Sequence, residues 1–294
     1  MAGFQHRQVA EAHRAPGIRP PGTASPEWIR MQFFTGTDSG SRYATFRPKV
    51  HGIVLDVLAR HLPGRRFRRA ADVACGTGDS LAPLQDISDE VLGIDSSEEM
   101  LAIAAARGLP VRRADYTSLP EHGPFDLIST CMAIHWFDPP SALAAYKAAS
   151  TPGAIWLIYN FAFGGHDQSA AFNAWFQDQY LNSYPSPPRT GPVATDLAED
   201  PDLRELANHT GWLPITFDLE ALVGYLTTQS NIEAALRQGH DLATIRTDLS
   251  QQIGALDLDG PFRYVYGYRI YAYRSDSDGD DRRGPATRVH EKTE

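Results

Sequence analysis

The sequence has few cysteines, no long apolar run and no excess of positive charge. Its 294 residues include only two cysteines, Cys75 and Cys131, and neither belongs to a C-x-x-C or Cys/His ligand spacing. This excludes a disulfide framework and predicts a reduced, cytoplasmic protein without a metal site. The net charge of -9 argues against binding to nucleic acid or to an anionic membrane. No apolar run is long enough to span a bilayer, and no secretory signal is recognisable, so no membrane association is expected.

Composition divides the chain into a core, a cap and two tails. The length suits one elaborated α/β domain. The two ends, 1–27 and 275–294, are poor in apolar residues and are predicted to be disordered. Between them we expect a core with an apolar N-terminal arm, a helical cap that includes one core strand, and a terminal strand. The predicted bounds are 28–163 for the core with its arm, 164–256 for the cap, 214–219 for its strand and 257–274 for the terminal strand.

Short apolar segments alternate with helical segments through the core, which is typical of a parallel sheet. Strands are predicted at about 69–74, 91–94, 110–113, 125–131 and 154–160. The aromatic segment 262–273 is predicted to be an antiparallel last strand. Helical spacing predicts a helix through Val50–Leu58, with His51 and His61 on its polar surface. Cap helices are predicted near 172–180, 203–208, 220–229 and 242–253.

A glycine loop follows the first strand, in the segment Asp72-Val-Ala-Cys-Gly-Thr-Gly-Asp79. Gly76 and Gly78 allow a sharp turn and let a ligand approach the backbone closely. A dinucleotide fingerprint would need a third glycine, and Leu81 stands there instead. The motif alone therefore fits either a nucleoside-binding loop or a plain turn between a strand and a helix.

Acidic residues follow the next strands. Asp95 lies 23 positions after Asp72, close to the interval of about 20 residues at which such units place an acid on ribose hydroxyls. Ser96 and Glu99 predict a capping box for the following helix. Asp115 can accept a hydrogen bond from an adenine amino group, and Tyr116 can cover its ring. Ligands of parallel sheets bind at the carboxyl ends of strands, where these residues are predicted to lie.

These motifs, with Gly93-Ile-Asp95, Ala114-Asp115 and Ala133-Ile-His-Trp-Phe-Asp138, resemble class I S-adenosylmethionine (SAM)-dependent methyltransferases of the small-molecule type. The resemblance covers about 41–164. It implies a Rossmann-like α/β sheet, mostly parallel, with seven strands and an antiparallel terminal strand. It also implies SAM as cofactor, S-adenosylhomocysteine as product and a small-molecule acceptor. The implied cofactor-binding residues are Tyr43, Ala74, Cys75, Gly76, Thr77, Gly78, Asp95, Ser96, Met100, Asp115, Tyr116 and Cys131.

The segments Tyr43-x-x-Phe-Arg-Pro48 and Gly224-Tyr-Leu-Thr-Thr-Gln-Ser230 resemble the trans-aconitate methyltransferase-like subgroup. Thr227 and Gln229 stand where that subgroup usually has arginine and tryptophan. O-methylation of a carboxylate or hydroxyl is favoured, with C- or N-methylation of an apolar natural-product intermediate as the alternative. The residues expected to contact the acceptor are His135, Trp136, Trp175 and Tyr225.

His135 is the candidate catalytic residue, because a neutral imidazole can remove a proton from the acceptor. A structural histidine bonded to nearby backbone fits the sequence equally well. Two functions of other classes also remain, an NAD-dependent oxidoreductase and a non-catalytic SAM-binding protein. The oligomeric state is open.

Overall fold

The computed structural model describes residues 38–187, 197–256 and 258–274. The predicted tails, the apolar arm near 28–34 and part of the proline-rich segment at 185–192 lie outside these ranges. The strands are β1 (Phe67–Val73), β2 (Ser88–Asp95), β3 (Val111–Arg113), β4 (Phe125–Cys131), β5 (Ser150–His166), β6 (Leu203–Ile215) and β7 (Phe262–Tyr273). The principal helices are α1 (Ser39–Phe46), α2 (Ile53–His61), α3 (Glu98–Ala106), α4 (Pro139–Ala149), α5 (Ala170–Trp175), α6 (Leu219–Leu226), α7 (Ser230–Arg237) and α8 (Leu242–Gly254).

All seven strands form one sheet in the order β3-β2-β1-β4-β5-β7-β6. The first five strands in this order pair in parallel, and β7 runs antiparallel to both β5 and β6. This arrangement confirms the predicted mostly parallel sheet with an antiparallel terminal strand. It places the carboxyl ends of β1 to β4 at one edge, where ligands of parallel sheets bind.

Both faces of the sheet are buried, as expected for parallel strands covered by helices. In β4, Leu127 packs into one core cluster and the next residue, Ile128, packs into the other. In β5, Ile155 and Trp156 divide between the same two clusters. Side chains of successive strand residues point to opposite faces, so continuous apolar runs are needed to fill both layers.

The segment 203–208 was predicted to be a helix, and this is wrong, because it begins β6. Its Leu-Arg-Glu-Leu-Ala composition favours a helix, but pairing with β7 from Leu203 to Ile215 overrides that weak preference. The core strand expected near 214–219 is therefore this strand, which begins and ends earlier. α6 starts at Leu219.

Two local predictions near the cofactor edge are also corrected. Ser97, not Ser96, caps α3, and its Oγ accepts a hydrogen bond from the Met100 N–H at 3.3 Å. Glu99 does not complete a capping box with Ser96, because its Oε1 accepts from the Gly40 N–H at 2.9 Å. His51, expected on the surface, is only 8% exposed. Its ring packs edge-on against that of Phe161, with 5.2 Å between the centroids.

Helix α1 contacts both α3 and the cap helix α7. It contacts α3 through the Gly40–Glu99 bond, and the Ser39 hydroxyl donates to Glu233 of α7 at 2.6 Å. A Cβ at Gly224 of α6 would lie 2.2 Å from the Phe46 ring, so only glycine lets these two helices approach so closely. Within the described ranges, no helix combines the length and the apolar character needed to cross a lipid bilayer.

Candidate functional site

The glycine loop, residues 74–78, lies directly after β1 and is held by backbone bonds to itself and to β2. The Cys75 N–H donates to Ile94 O at 3.0 Å, and the Gly78 N–H donates to Cys75 O at 2.9 Å. Ala74 has φ of 60°, in the left-handed region that favours glycine. It occupies the first glycine position of the motif that the sequence resembles, so this chain keeps the glycine conformation with an alanine.

The two loop glycines face different surroundings. Gly76 has φ of 53°, and a Cβ there would meet no atom within 4 Å among the described residues. Gly78 has φ of 84°, and its Cβ would lie 2.3 Å from Leu109 Cδ1 and 3.2 Å from Ala104 Cβ. Gly76 therefore borders open space where a ligand can approach the backbone, whereas Gly78 allows α3 to pack against the loop.

Asp95 fixes the loop from the end of β2. One carboxylate oxygen accepts from the Gly76 N–H at 2.8 Å, and the other accepts from the Ser97 N–H at 2.8 Å. Burial raises the pKa of Asp95, while these backbone donors oppose that shift. Each oxygen keeps a lone pair, so Asp95 can accept further bonds from ribose hydroxyls.

Asp115 and Tyr116 follow β3, as predicted. Asp115 is exposed and its Oδ1 accepts from the Thr117 N–H at 2.9 Å, which leaves its Oδ2 for another donor. The Tyr116 ring stacks on Phe137 at 4.2 Å between centroids, and its hydroxyl accepts from the Asp138 N–H at 3.2 Å. The rings of Tyr116 and Phe137 thus form a flat apolar surface beside the Asp115 carboxylate.

The other predicted residues occupy three places. Cys131 is buried at the end of β4, and His135 and Trp136 lie just beyond it in a short 3-10 turn, Ile134–Trp136, with 4.8 Å between their ring centroids. Near α3, Met100 is buried and Ser96 is exposed. Tyr43 and Tyr225 both contact Arg47, whose guanidinium carbon is 4.8 Å and 5.3 Å from their ring centroids.

Trp175 lies apart from these groups in the core of the cap. It is 5% exposed, its Nε1–H donates to Gln252 Oε1 at 2.8 Å, and its ring packs beside Phe172 and Tyr180. The aromatic face of this helix is buried against cap residues and against Phe163 of β5 and Phe262 of β7. These contacts favour a structural role for Trp175.

A charged cluster beside the loop was not identified from the sequence. Asp79 accepts from Lys49 Nζ at 2.7 Å and from Arg107 Nη1 at 2.8 Å, and Arg107 also donates to Thr77 O at 2.7 Å. Burial alone would raise the pKa of Asp79, but Lys49 and Arg107 lower it. With His51, these side chains line a cavity of about 450 Å³. Spacing gives no signal for such a cluster, because its members come from separate segments.

Asp72 lies beneath the loop and is fully buried. Its Oδ2 accepts from the Ser80 hydroxyl at 2.6 Å, and its Oδ1 has no hydrogen-bond partner among the described residues. Burial raises the pKa of Asp72 to about 7. The described part of the chain contains no group of three or more His, Cys, Asp or Glu side chains that could hold a metal ion.

The mostly parallel sheet and the glycine loop are similar to those of class I SAM-dependent methyltransferases. Residues 70–153 match the family model described as "Methyltransferase domain". The open space at Gly76, the remaining acceptor capacity of Asp95 and the flat surface at Tyr116 fit a nucleoside cofactor, and SAM is the cofactor of this class.

The chain is similar to several known methyltransferases over part of its length. It is 37% identical over 101 residues to trans-aconitate 2-methyltransferase of Deinococcus radiodurans, covering 33% of this chain and 39% of the relative. It is 35% identical over 86 residues to malonyl-[acyl-carrier protein] O-methyltransferase of Enterobacter lignolyticus, covering 28% and 34%. These alignments span less than half of each relative.

Among solved structures, the chain is similar to a protein of Anaeromyxobacter dehalogenans assigned to the type II methyltransferases. The TM-score is 0.55 at 23% identity, and the superposition covers 78% of this chain and 98% of the other. At this identity the similarity concerns the fold.

Proposed function

We propose that this chain transfers the methyl group of SAM to a small-molecule acceptor bound between the glycine loop and the cap helices α6 and α7. The observation that carries this proposal is the Gly76 N–H held on Asp95 with open space beside Gly76. SAM supplies the reactive methyl group on its sulfonium. The chain then has to hold the acceptor in line with that group and exclude water, and such orientation can supply much of the rate acceleration.

We assign a role to each residue from its position at the carboxyl edge of the sheet. Asp95 accepts hydrogen bonds from the ribose hydroxyls, and Asp115 accepts from the adenine amino group. The Tyr116–Phe137 surface packs against the adenine ring. His135, half-buried just beyond β4, is placed to take a proton from the acceptor. An acceptor that is already an anion needs no such base.

We favour O-methylation of a carboxylate or hydroxyl. Two of the similar proteins are named for trans-aconitate and for malonyl-[acyl-carrier protein], and the second is named as an O-methyltransferase. In this chain, the buried cationic side chain of Arg47 contacts the rings of Tyr43 and Tyr225, two residues expected at the site. A cation there favours an anionic ligand over a wholly apolar one.

The test is calorimetric titration of the protein with SAM, S-adenosylhomocysteine and NAD, followed by incubation with SAM and a panel of carboxylic acids, phenols and amines. Formation of S-adenosylhomocysteine is then measured for each acceptor. We expect SAM and S-adenosylhomocysteine to bind, NAD not to bind, and at least one acid or phenol to be methylated. Binding of NAD without SAM would favour an oxidoreductase, and binding of SAM without turnover on any acceptor would favour a non-catalytic SAM-binding protein.

A further inference from the structure

Arg47 is a buried arginine at the end of α1, beside the cap. Arg47 is 7% exposed, and its Nη2 donates to Thr228 O at 2.8 Å. The Tyr225 ring, which contacts the guanidinium, packs edge-on against Tyr264, with 5.9 Å between their centroids. The guanidinium is therefore surrounded by aromatic rings, one backbone carbonyl and the Tyr264 hydroxyl, which forms a hydrogen bond with it.

In the described ranges, no anionic side chain is paired with this cation. Among the described residues, no carboxylate lies within ion-pair distance of Arg47, and its Nε has no hydrogen-bond partner. Burial raises the pKa of Tyr43, Tyr225 and Tyr264, so these hydroxyls are neutral near pH 7 and supply no negative charge. A buried charge is costly unless it is paired, and a guanidinium is not expected to lose its proton.

The Asp79 carboxylate, near the glycine loop, is already paired with other cations. Asp79 forms ion pairs with Lys49 and Arg107, with 2.7 Å and 2.8 Å between the charged atoms. Arg47, Lys49 and Arg107 together carry three positive charges, and Asp79 carries one negative charge, so the net charge of these four side chains is positive. Lys49, two residues after Arg47, reaches Asp79 just beyond the glycine loop, while Arg47 itself reaches Thr228 after α6. Arg47 thus lies between the cofactor loop and the cap.

We propose that Arg47 binds the carboxylate of a small molecule held between the glycine loop and the cap, either the methionyl carboxylate of SAM or a carboxylate of the acceptor. The free Nε–H is the donor for this bond, and arginine is suited to carboxylates because its planar guanidinium presents several donors in a fixed geometry. This inference rests on the proposed function, because it assumes that SAM and an acceptor meet at this edge of the sheet.

The first experiment compares SAM with decarboxylated SAM, which lacks only the methionyl carboxylate, by calorimetry on the wild-type chain and on Arg47→Gln and Arg47→Lys. If Arg47 binds the methionyl carboxylate, the wild type binds SAM at least tenfold more tightly than decarboxylated SAM. Arg47→Gln then loses that difference and keeps its affinity for decarboxylated SAM. Arg246→Gln is the matched control, because Arg246 also stacks on an aromatic ring of α1, 5.5 Å from the Phe46 centroid. It should bind both ligands as the wild type does.

The second experiment tests the acceptor as the source of the carboxylate. Formate, malonate and benzoate are titrated into protein saturated with S-adenosylhomocysteine. If Arg47 binds an acceptor carboxylate, at least one of these anions binds the wild type and binds Arg47→Gln at least tenfold more weakly, while SAM affinity changes less than twofold.

The inference is overturned if SAM and decarboxylated SAM bind the wild type equally and none of the three anions binds it. That negative wild-type result is decisive even if Arg47→Gln does not fold, which circular dichroism would reveal; if the wild type does show a preference, Arg47→Lys then provides the variant comparison. The inference is also overturned if the wild type prefers a carboxylate ligand and both Arg47 variants fold and keep that preference. Failure of SAM and decarboxylated SAM alike to bind the wild type would instead overturn the proposed function.

Discussion

Replacing Gly76 and Gly78 separately by alanine should separate cofactor binding from folding. Both residues have positive φ, so alanine at either position costs about 1–2 kcal/mol of backbone strain. At Gly78 the new methyl group also overlaps Leu109 and Ala104, and such overpacking costs a further ~1–3 kcal/mol. At Gly76 the methyl group meets no described atom and instead occupies the space assigned to SAM.

Stability is measured by urea unfolding monitored by circular dichroism. SAM affinity is measured by calorimetric titration at pH 7.5 in buffer without urea. We expect Gly78→Ala to lose about 2–5 kcal/mol of unfolding free energy and Gly76→Ala only about 1–2 kcal/mol. For SAM binding, Gly76→Ala is the more strongly affected variant. It loses most of its affinity, whereas the folded fraction of Gly78→Ala binds SAM as the wild type does. Equal stability of the two variants, or SAM affinity of Gly76→Ala equal to that of the wild type, would show that the loop faces have been assigned wrongly.

Three other predictions address the same edge of the sheet. Asp95→Ala should weaken SAM binding by about 1–3 kcal/mol, whereas Asp126→Ala, which removes a carboxylate that also accepts two backbone N–H groups, should leave it unchanged; equal calorimetric losses would refute the ribose role. Asp72 keeps its proton up to a pKa of about 7 in the folded state, whereas the unfolded chain releases it near pH 4. Its contribution to unfolding free energy therefore falls as pH rises through that window, by about 4 kcal/mol at most. Asp72→Asn should remove this slope, and denaturation curves that stay parallel to wild type from pH 4 to 8 would contradict it. Methyl transfer should survive EDTA, and its loss on chelation with recovery on adding Mg²⁺ or Zn²⁺ would refute a metal-free site.

Comparing the wild type with Asp72→Asn also separates the titration of Asp72 from that of His51, whose effect on the unfolding free energy has the opposite dependence on pH. Burial lowers the pKa of His51 to about 4, so His51 contributes stability that is lost as pH falls from 6.5 towards 4. Wild type and Asp72→Asn share this contribution, and it cancels in their difference.

Local sequence patterns were sufficient where neighbouring residues decide the structure. The glycine loop, the position of Asp95 and the bounds of β4 and β7 all follow from apolar runs that end at turn or acidic residues. Segment 203–208 failed because its helix-forming composition yields to pairing with a strand about 60 residues later in the chain. The capping box predicted from Ser96 and Glu99 failed because Ser97 caps α3 and Glu99 contacts α1, which is distant in sequence.

The Arg47 environment could not be predicted for the same physical reason. Next to Pro48 and Lys49, Arg47 has the composition of an exposed turn, and contacts with Tyr225 of α6 and with Thr228, both distant in sequence, bury it. His51 likewise occupies a polar position in its helix pattern, yet aromatic residues of β5 cover it. Burial of a polar side chain depends on elements distant in sequence, so single-sequence patterns contain little information about it.

The position of β7 between β5 and β6 determines the order in which the sheet can be completed. The chain makes β5 and β6 first, and both must remain unpaired on their facing edges until residues 262–273 have been synthesised. During translation the nascent protein therefore exposes two open strand edges, and such edges invite pairing with other chains. Inserting the last strand covers the facing edges of β5 and β6 at once and leaves β6 as the edge strand on that side of the sheet.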